Sequence, residues 1–345
     1  MDSGSASILV DDPRGALERL AGGAGTAFPH LAEAARYTAE ELNSKSAALA
    51  ESKLADEVSI VVFGSWARGE LTEGSDHDWA VLVNRPFADY DADVVRAVAL
   101  AQEHLGGGER KPGSQAVFGV PFDIEGLVDY VGLDADSNRN LTRRMLLLLE
   151  SRELAGTVHT AAWQAVLRRY LRFGIKNNRP PRFLLNDLVR YWRTICVDFE
   201  GKHKETGEED PKWITRNAKL RTSRKVLFAG GLVPILLCHL CLAEDMEPFL
   251  MRWLTAPPSD RLAAAFLHYE AVDEGARTFT AYDRWIALMQ DRAKREELTA
   301  LTAAARDHSE LWHEIRGIGE ELQRGMNALL FDTPLKRLAP QYAIF

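Results

Sequence analysis

Apolar positions along this chain change their rhythm near its middle. Through about residue 135, short apolar runs of strand length alternate with segments of helical spacing; beyond Leu141 helical spacing alone recurs, to about Leu330. Val58–Phe63 and Trp79–Val83 are compact apolar runs bounded by charged or turn-forming residues, and they predict two buried strands. Residues 29–54 carry Leu31, Ala34, Ala35 and Leu42 at helical spacing, and residues 90–105 repeat apolar positions every three and four. Gly106, Gly107 and Gly108 stop the second of these helices. Residues 116–131 alternate and are interrupted by Pro121, which predicts a third strand with an irregular start. After Leu141 no strand is expected. The segment 201–210 is polar and reads as a loop between helices.

The pattern describes an α+β chain: a small mixed β-sheet with its helices, then an all-helical second domain. We expect residues 1–27 to form a flexible tail, 28–137 the sheet domain and 138–345 the helical domain. At 345 residues, with 46% hydrophobic and 27% charged residues, the composition is that of a soluble globular protein with room for two domains. A net charge of −8 argues against an extended nucleic-acid surface, which needs clustered cations. Residues 1–12 lack the basic stretch that opens a signal peptide. Cys196, Cys238 and Cys241 are too few and too apolar in context for a disulfide framework, so a reducing, cytoplasmic setting is expected. The longest apolar run, 226–243, is short for a bilayer span and contains Pro234. It reads as two buried helical pieces parted near residues 231–234, with no membrane association.

One stretch concentrates the chemistry. Gly64-Ser65 makes a tight turn directly after the first apolar run, and Ser75-Asp76-His77-Asp78 leads into the second. Side chains alternate on an extended segment, so Asp76 and Asp78 project to one side and His77 to the other. Two adjacent carboxylates repel unless a cation lies between them, and hard oxygen donors select Mg²⁺ or Mn²⁺. A glycine turn offers backbone amides and a hydroxyl to phosphate oxygens. Singly, these features are ordinary turns and solvated strand ends. In this order, between two strands, they point to a triphosphate held against a divalent metal.

The pattern Gly64-Ser65-x-x-Arg68-Gly69-Glu70-Leu71-x-x-x-Ser75-Asp76-x-Asp78 resembles the signature of DNA-polymerase-β-like nucleotidyltransferases. Its details are most similar to the protein-PII uridylyltransferase group; the rest of the chain agrees in outline only. The resemblance covers about fifteen of 345 residues and so speaks for a catalytic module, not for an acceptor. It implies metal-dependent transfer of a nucleoside monophosphate from an NTP to an acceptor hydroxyl, with release of pyrophosphate. It also implies nucleotide contacts from Gly64, Ser65 and Arg68, the last either on phosphate or bracing the loop through Glu70. Asp76 and Asp78 would hold the metal with a third carboxylate from a later strand. Phe122 and Ile124 alternate with Asp123 and Glu125, which turns both acids to one side. Asp123 is the first choice because the superfamily more often uses aspartate; Glu125 is the alternative and Asp129 ranks third.

In the helical half, residues 211–228 read as one helix with proline in its first turn. Lys212, Arg216, Lys219 and Ser223 fall on one narrow face, beside the apolar Trp213, Leu220 and Leu227. Related two-domain members of the superfamily use a lysine and a serine of the helical lobe on the triphosphate tail, and Lys219 and Ser223 resemble that pair. Arg221, Arg224 and Lys225 read as ordinary surface. In residues 182–199, Leu185, Leu188, Trp192, Ile195 and Phe199 mark a core face. Asn186, Arg190 and Arg193 form a polar stripe there, for base or ribose or for pairing with acids. Cys238-His239-Leu240-Cys241 has a zinc-like look but no second cysteine pair, and reads as buried core. The resemblance favours a protein side chain as acceptor. A second nucleotide, as in relatives of cyclic-dinucleotide synthases, or a small molecule would also fit the module. A non-catalytic, antitoxin-like binding protein on the same fold is the rival of another class.

Overall fold

The computed structural model describes residues 12–106, 117–205 and 212–343. The chain divides into two compact units: Glu33–Phe173, and the described residues of Met1–Ala32 with Gly174–Phe345. Helices α1 (Ala16–Gly23) and α2 (Pro29–Ala50) come first. The described part of the expected tail is therefore structured. Ala16 and Leu20 are fully buried, and the Asp260 carboxylate accepts the N–H groups of Gly15 and Leu17.

The sheet unit continues with β1 (Val58–Phe63), α3 (Ser65–Arg68), β2 (Trp79–Val83), α4 (Ala92–Leu105), β3 (Pro121–Asp123) and α5 (Glu125–Val128). It ends with α6 (Asn138–Leu149), β4 (Ser151–Ala155) and α7 (His159–Leu171). The strand order is β3-β2-β1-β4, with β1 antiparallel to β2 and β4, and β2 parallel to β3. Every residue of β1 and β2 is buried, which is why their apolar runs were unbroken. Their core-facing side chains pack with Leu42 and Leu49 of α2 and Val94, Ala97 and Ala101 of α4. Each buried Val or Leu contributes about 1.5–3 kcal/mol.

Two expectations in this unit need correction. The third strand is only three residues long, because Ile124 and Leu127 are both buried three positions apart, the spacing of a helix turn. Ala116, its expected start, lies outside the described residues. Secondly, a strand does follow Leu141. β4 is an edge strand with one buried residue, Leu154, and so carries no apolar signal. Its register rests on polar contacts: Ser59 Oγ donates to Glu153 Oε1 at 2.7 Å and accepts from the Val158 N–H at 2.7 Å. Gly156 (φ 106) lets the chain leave β4 there, since an added Cβ would lie 2.3 Å from Ser59 Oγ. The unit also runs past the expected boundary near 137, to Phe173. Buried Arg144 of α6 explains this: it donates to Asp136 at 2.8 and 2.7 Å and to Tyr170 Oη of α7 at 2.9 Å.

The other unit holds α1 with α8 (Arg182–Glu205), α9 (Trp213–Arg221), α10 (Ser223–Leu237), α11 (Met246–Leu254) and α12 (Pro258–His268). It closes with α13 (Val272–Gln290), α14 (Arg292–Ala300), α15 (Glu310–Asn327) and α16 (Ala339–Ala343). The loop expected over 201–210 is helical through Glu205; residues 206–210 lie outside the described residues. The helix expected over 211–228, whose Pro211 also lies outside them, is broken at Thr222 (φ −122, ψ −99).

No break occurs at residues 231–234, where one was expected; α10 runs through Pro234. Proline has no N–H to give the Gly230 carbonyl four residues back. Buried Arg261 answers it instead, donating to Gly230 O at 3.5 Å, Ala256 O at 2.8 Å and Leu254 O at 2.6 Å. The span Trp213–Leu240 is long and apolar enough, by length and composition, to cross a membrane. In the helical unit its Leu232, Val233, Ile235, Leu236 and Leu237 are core residues, each at most 3% exposed.

Candidate active site

The turn after β1 is built on Gly64, whose φ 65, ψ −134 is a conformation that side chains avoid. A Cβ placed there would lie 3.4 Å from Asp78 Oδ2 and 3.9 Å from Arg68 Nη1. Asp78 thus leans its carboxylate over the glycine turn. The Phe63 N–H donates to Asp78 O at 2.9 Å, extending the β1–β2 ladder one residue beyond the strand and fixing that approach. Ser65 opens α3, and its hydroxyl makes no hydrogen bond among the described residues.

His77 is the anchor between the acids. It is 7% exposed, with Nδ1 2.9 Å from Leu105 O and its ring edge-on to Trp66 at 5.1 Å. With His77 turned into the core, alternation puts Asp76 and Asp78 on the opposite side. Asp76 is exposed and Asp78 half-buried. Such a pair suits Mg²⁺, which takes one or two carboxylates and fills its remaining positions with phosphate oxygens and water. Among the described residues, no three His, Cys, Asp or Glu gather closely enough to hold a metal by themselves.

Asp123 is not brought to this pair. β3 runs parallel to β2 with Val83 opposite Asp123, so Asp123 stands at the far end of β2 from Asp78. Five residues of strand separate the two levels, about 17 Å. There the Asp123 carboxylate accepts the Gly126 N–H and opens α5. Its cationic neighbour is Arg143, which lies over the Phe122 ring at 4.7 Å. Burial pushes the Arg143 guanidinium down to about 10, Arg139 adds to that, and Asp123 opposes it. Glu125 is on α5 and Asp129 follows it, both exposed and both beyond the strand register that would set them against Asp78. The assignment of a third carboxylate to this segment is therefore corrected: alternation gave the side of the strand, but not its direction in the sheet.

The acid that does reach the Gly64 end was not anticipated. Phe63 pairs with Ser151, so Glu150, between α6 and β4, lies beside the turn. Arg68 joins it to Glu70: Nε donates to Glu70 Oε2 at 2.7 Å and Nη1 to Glu150 Oε2. The side chains of Arg68, Glu70 and Glu150 are 14%, 3% and 7% exposed. The one hint in the sequence is an acid closing the wholly apolar run Met145 to Leu149.

Lys219 and Ser223 belong to the helical unit and lie on either side of the Thr222 turn, in α9 and α10. Ser223 is 8% exposed, and its hydroxyl makes no hydrogen bond among the described residues. Thr222 Oγ1 donates back to Ala218 O at 2.7 Å, so it does not cap α10. Arg221 and Lys225, read as surface, are partly sequestered. Arg221 Nε donates to Asn217 Oδ1 at 2.7 Å and Lys225 Nζ to Gly319 O at 3.2 Å. Burial, then the charge of Arg221, pushes Lys225 down to about 8. On α8, Asn186 and Arg193 are exposed, whereas Arg190 lies 3.9 Å from Asp187.

Residues 45–117 match the family model described as a nucleotidyltransferase domain. No curated protein matches the chain. The matched segment takes in the Gly64 turn, Asp76 and Asp78. It supports, for that segment, a domain of the polymerase-β-like nucleotidyltransferase superfamily and, with it, a general nucleotidyl-transfer activity.

Proposed function

We propose that this chain is a metal-dependent nucleotidyltransferase that moves a nucleoside monophosphate from an NTP to an acceptor hydroxyl and releases pyrophosphate. The observation that carries this reading is the Asp78 carboxylate held over the Gly64 turn, 3.4 Å from where a side chain on that glycine would begin. The phosphates lie along the turn, on its amides and the unengaged Ser65 hydroxyl. Asp76 and Asp78 would hold Mg²⁺ or Mn²⁺, which when bound supplies positive charge to the phosphate oxygens. The acceptor oxygen forms its bond to the α-phosphorus as the bond to pyrophosphate breaks, and the hydroxyl proton passes to solvent. Lys219 and Ser223 of the helical unit are the pair that the resemblance assigns to a triphosphate tail; the start of α10 carries no side-chain cap, and the Ser223 hydroxyl makes no hydrogen bond among the described residues. Arg68, already paired with Glu70 and Glu150, braces the turn. The acceptor is a protein side-chain hydroxyl, the choice favoured by the likeness of Arg68 to Leu71 to protein-PII uridylyltransferases.

The test incubates purified protein with each α-labelled NTP and Mg²⁺ or Mn²⁺, with and without cell extract, and resolves the products. Label on protein, lost in Asp78→Asn, is the expected result. Label in a phosphatase-resistant nucleotide would replace the acceptor with a second nucleotide. No transfer with any NTP, acceptor source or metal would return the chain to the binding-protein class.

A further inference from the structure

The Cys238-His239-Leu240-Cys241 segment lies outside the nucleotide chemistry, and the fold gives its two thiols unequal settings. Past α10, Cys238–Leu240 winds into a 3-10 turn, and the Cys241 N–H donates to Cys238 O at 3.0 Å. A hydrogen-bonded turn of this kind holds its end Cα atoms within about 7 Å, and a disulfide needs roughly 4.4–6.8 Å. Cys238 is fully buried, its thiol donating to Pro234 O at 3.5 Å, whereas Cys241 is half-buried. Burial, above all, pushes the Cys238 thiol well up. The Cys241 thiol is held below its usual value by the Cys238 side chain beside it, with burial and Asp245 opposing and Arg252 adding. One sulfur is partly exposed, with its thiol held below the usual value, and the other is sheltered beside it. Attack and resolution in disulfide exchange need that asymmetry. Cys196 offers a contrast, since burial pushes its thiol up.

We propose that Cys238 and Cys241 form a redox modification site that exchanges with low-molecular-weight disulfides of the glutathione class. The Cys241 thiolate attacks one sulfur of the small disulfide, forming a mixed disulfide and expelling the first small thiolate. Cys238 attacks the Cys241 sulfur, its proton passing to the departing small thiolate, which closes the Cys238–Cys241 bond and releases the second small thiol. Two protein thiols are oxidised, one small disulfide is reduced to two thiols, and no other reactant is required. The new bond would stiffen a junction already tied to the loop before α8. Cys241 O accepts the Asn178 N–H at 2.8 Å, and the Ala243 N–H donates to Asn177 Oδ1 at 2.8 Å.

The test equilibrates the full chain in glutathione buffers from fully reduced to fully oxidised, quenches with acid, denatures, and alkylates the remaining thiols. Mass spectrometry of the peptide holding both cysteines should show a species lighter by two hydrogen atoms and free of alkyl label. Dithiothreitol should reverse it, and Cys196 should stay labelled throughout. A peptide that keeps both labels at the oxidised extreme, or that stops at a glutathione adduct on Cys241, overturns the proposal. So does equal oxidation of Cys196. Cys241→Ser, at the half-buried position, should leave Cys238 reduced and labelled in every buffer. Glutathione on Cys238 in that variant would refute the order of attack.

Discussion

Replacing Asp123 by asparagine separates the sheet geometry from the alternation argument that nominated this residue. Asp78 precedes the first residue of β2, and Asp123 pairs with the last, Val83. At about 3.3 Å per residue their levels differ by roughly 17 Å, whereas carboxylates sharing one ion each lie about 2.1 Å from it. Two aspartate side chains and an ion do not span that gap, so Asp123→Asn should change kcat/KM by no more than about twofold, under ~0.5 kcal/mol. Asparagine keeps an oxygen to accept the Gly126 N–H, so the start of α5 and the melting temperature should be preserved. Asp76→Asn and Asp78→Asn should each lower transfer by about a thousandfold, ~4 kcal/mol of lost charge stabilisation. The assay is initial-rate transfer of label from α-labelled NTP at saturating metal, with circular dichroism melting to show that each variant is folded. A folded Asp123→Asn protein whose kcat/KM falls more than tenfold would refute the reasoning from register.

Four further expectations follow from the same geometry. Arg68→Ala removes the cation from two nearly buried carboxylates and should destabilise the sheet unit by about 3–5 kcal/mol in urea unfolding; a loss below about 1 kcal/mol would contradict the bracing role. Gly64→Ala forces a side chain into a disfavoured conformation against Asp78, so it should cost roughly 1–3 kcal/mol and lower transfer more than stability accounts for. Gly174→Ala, also at positive φ but in open space, is the control that should leave transfer unchanged. Asp91 caps α4 and is held down to about 2, from 3.8, by its hydrogen bond to Arg85. Because the folded value lies below the unfolded one, its stabilisation is present above about pH 4 and is lost as pH falls towards 2. The stability difference between wild type and Asp91→Asn should shrink over that window and hold constant from pH 5 to 7. Arg261→Met should lower the melting temperature, whereas Arg261→Met combined with Pro234→Ala should recover part of the loss, because alanine in place of the proline restores an N–H to Gly230 O.

What could be read from residues alone follows from which interactions are local. β1 and β2 were legible to the residue because both are wholly buried, and the glycine turn and the two aspartates sit within one hairpin-like stretch whose geometry is set by near neighbours. β4 was illegible because an edge strand buries little, and Leu154 alone cannot carry a period. α10 ran through Pro234 because Arg261, distant in sequence, supplies the donor that proline lacks. The site divides along the same line. Asp76, Asp78, Gly64 and Ser65 are placed by the chain next to them, whereas any additional acid is placed by strand order and direction. Parallel pairing carries Asp123 away from the turn, and antiparallel pairing of β4 carries Glu150 towards it. A period-two pattern is the same whichever way a strand runs, so it can choose the side of an acid but never the end of the sheet at which that acid works.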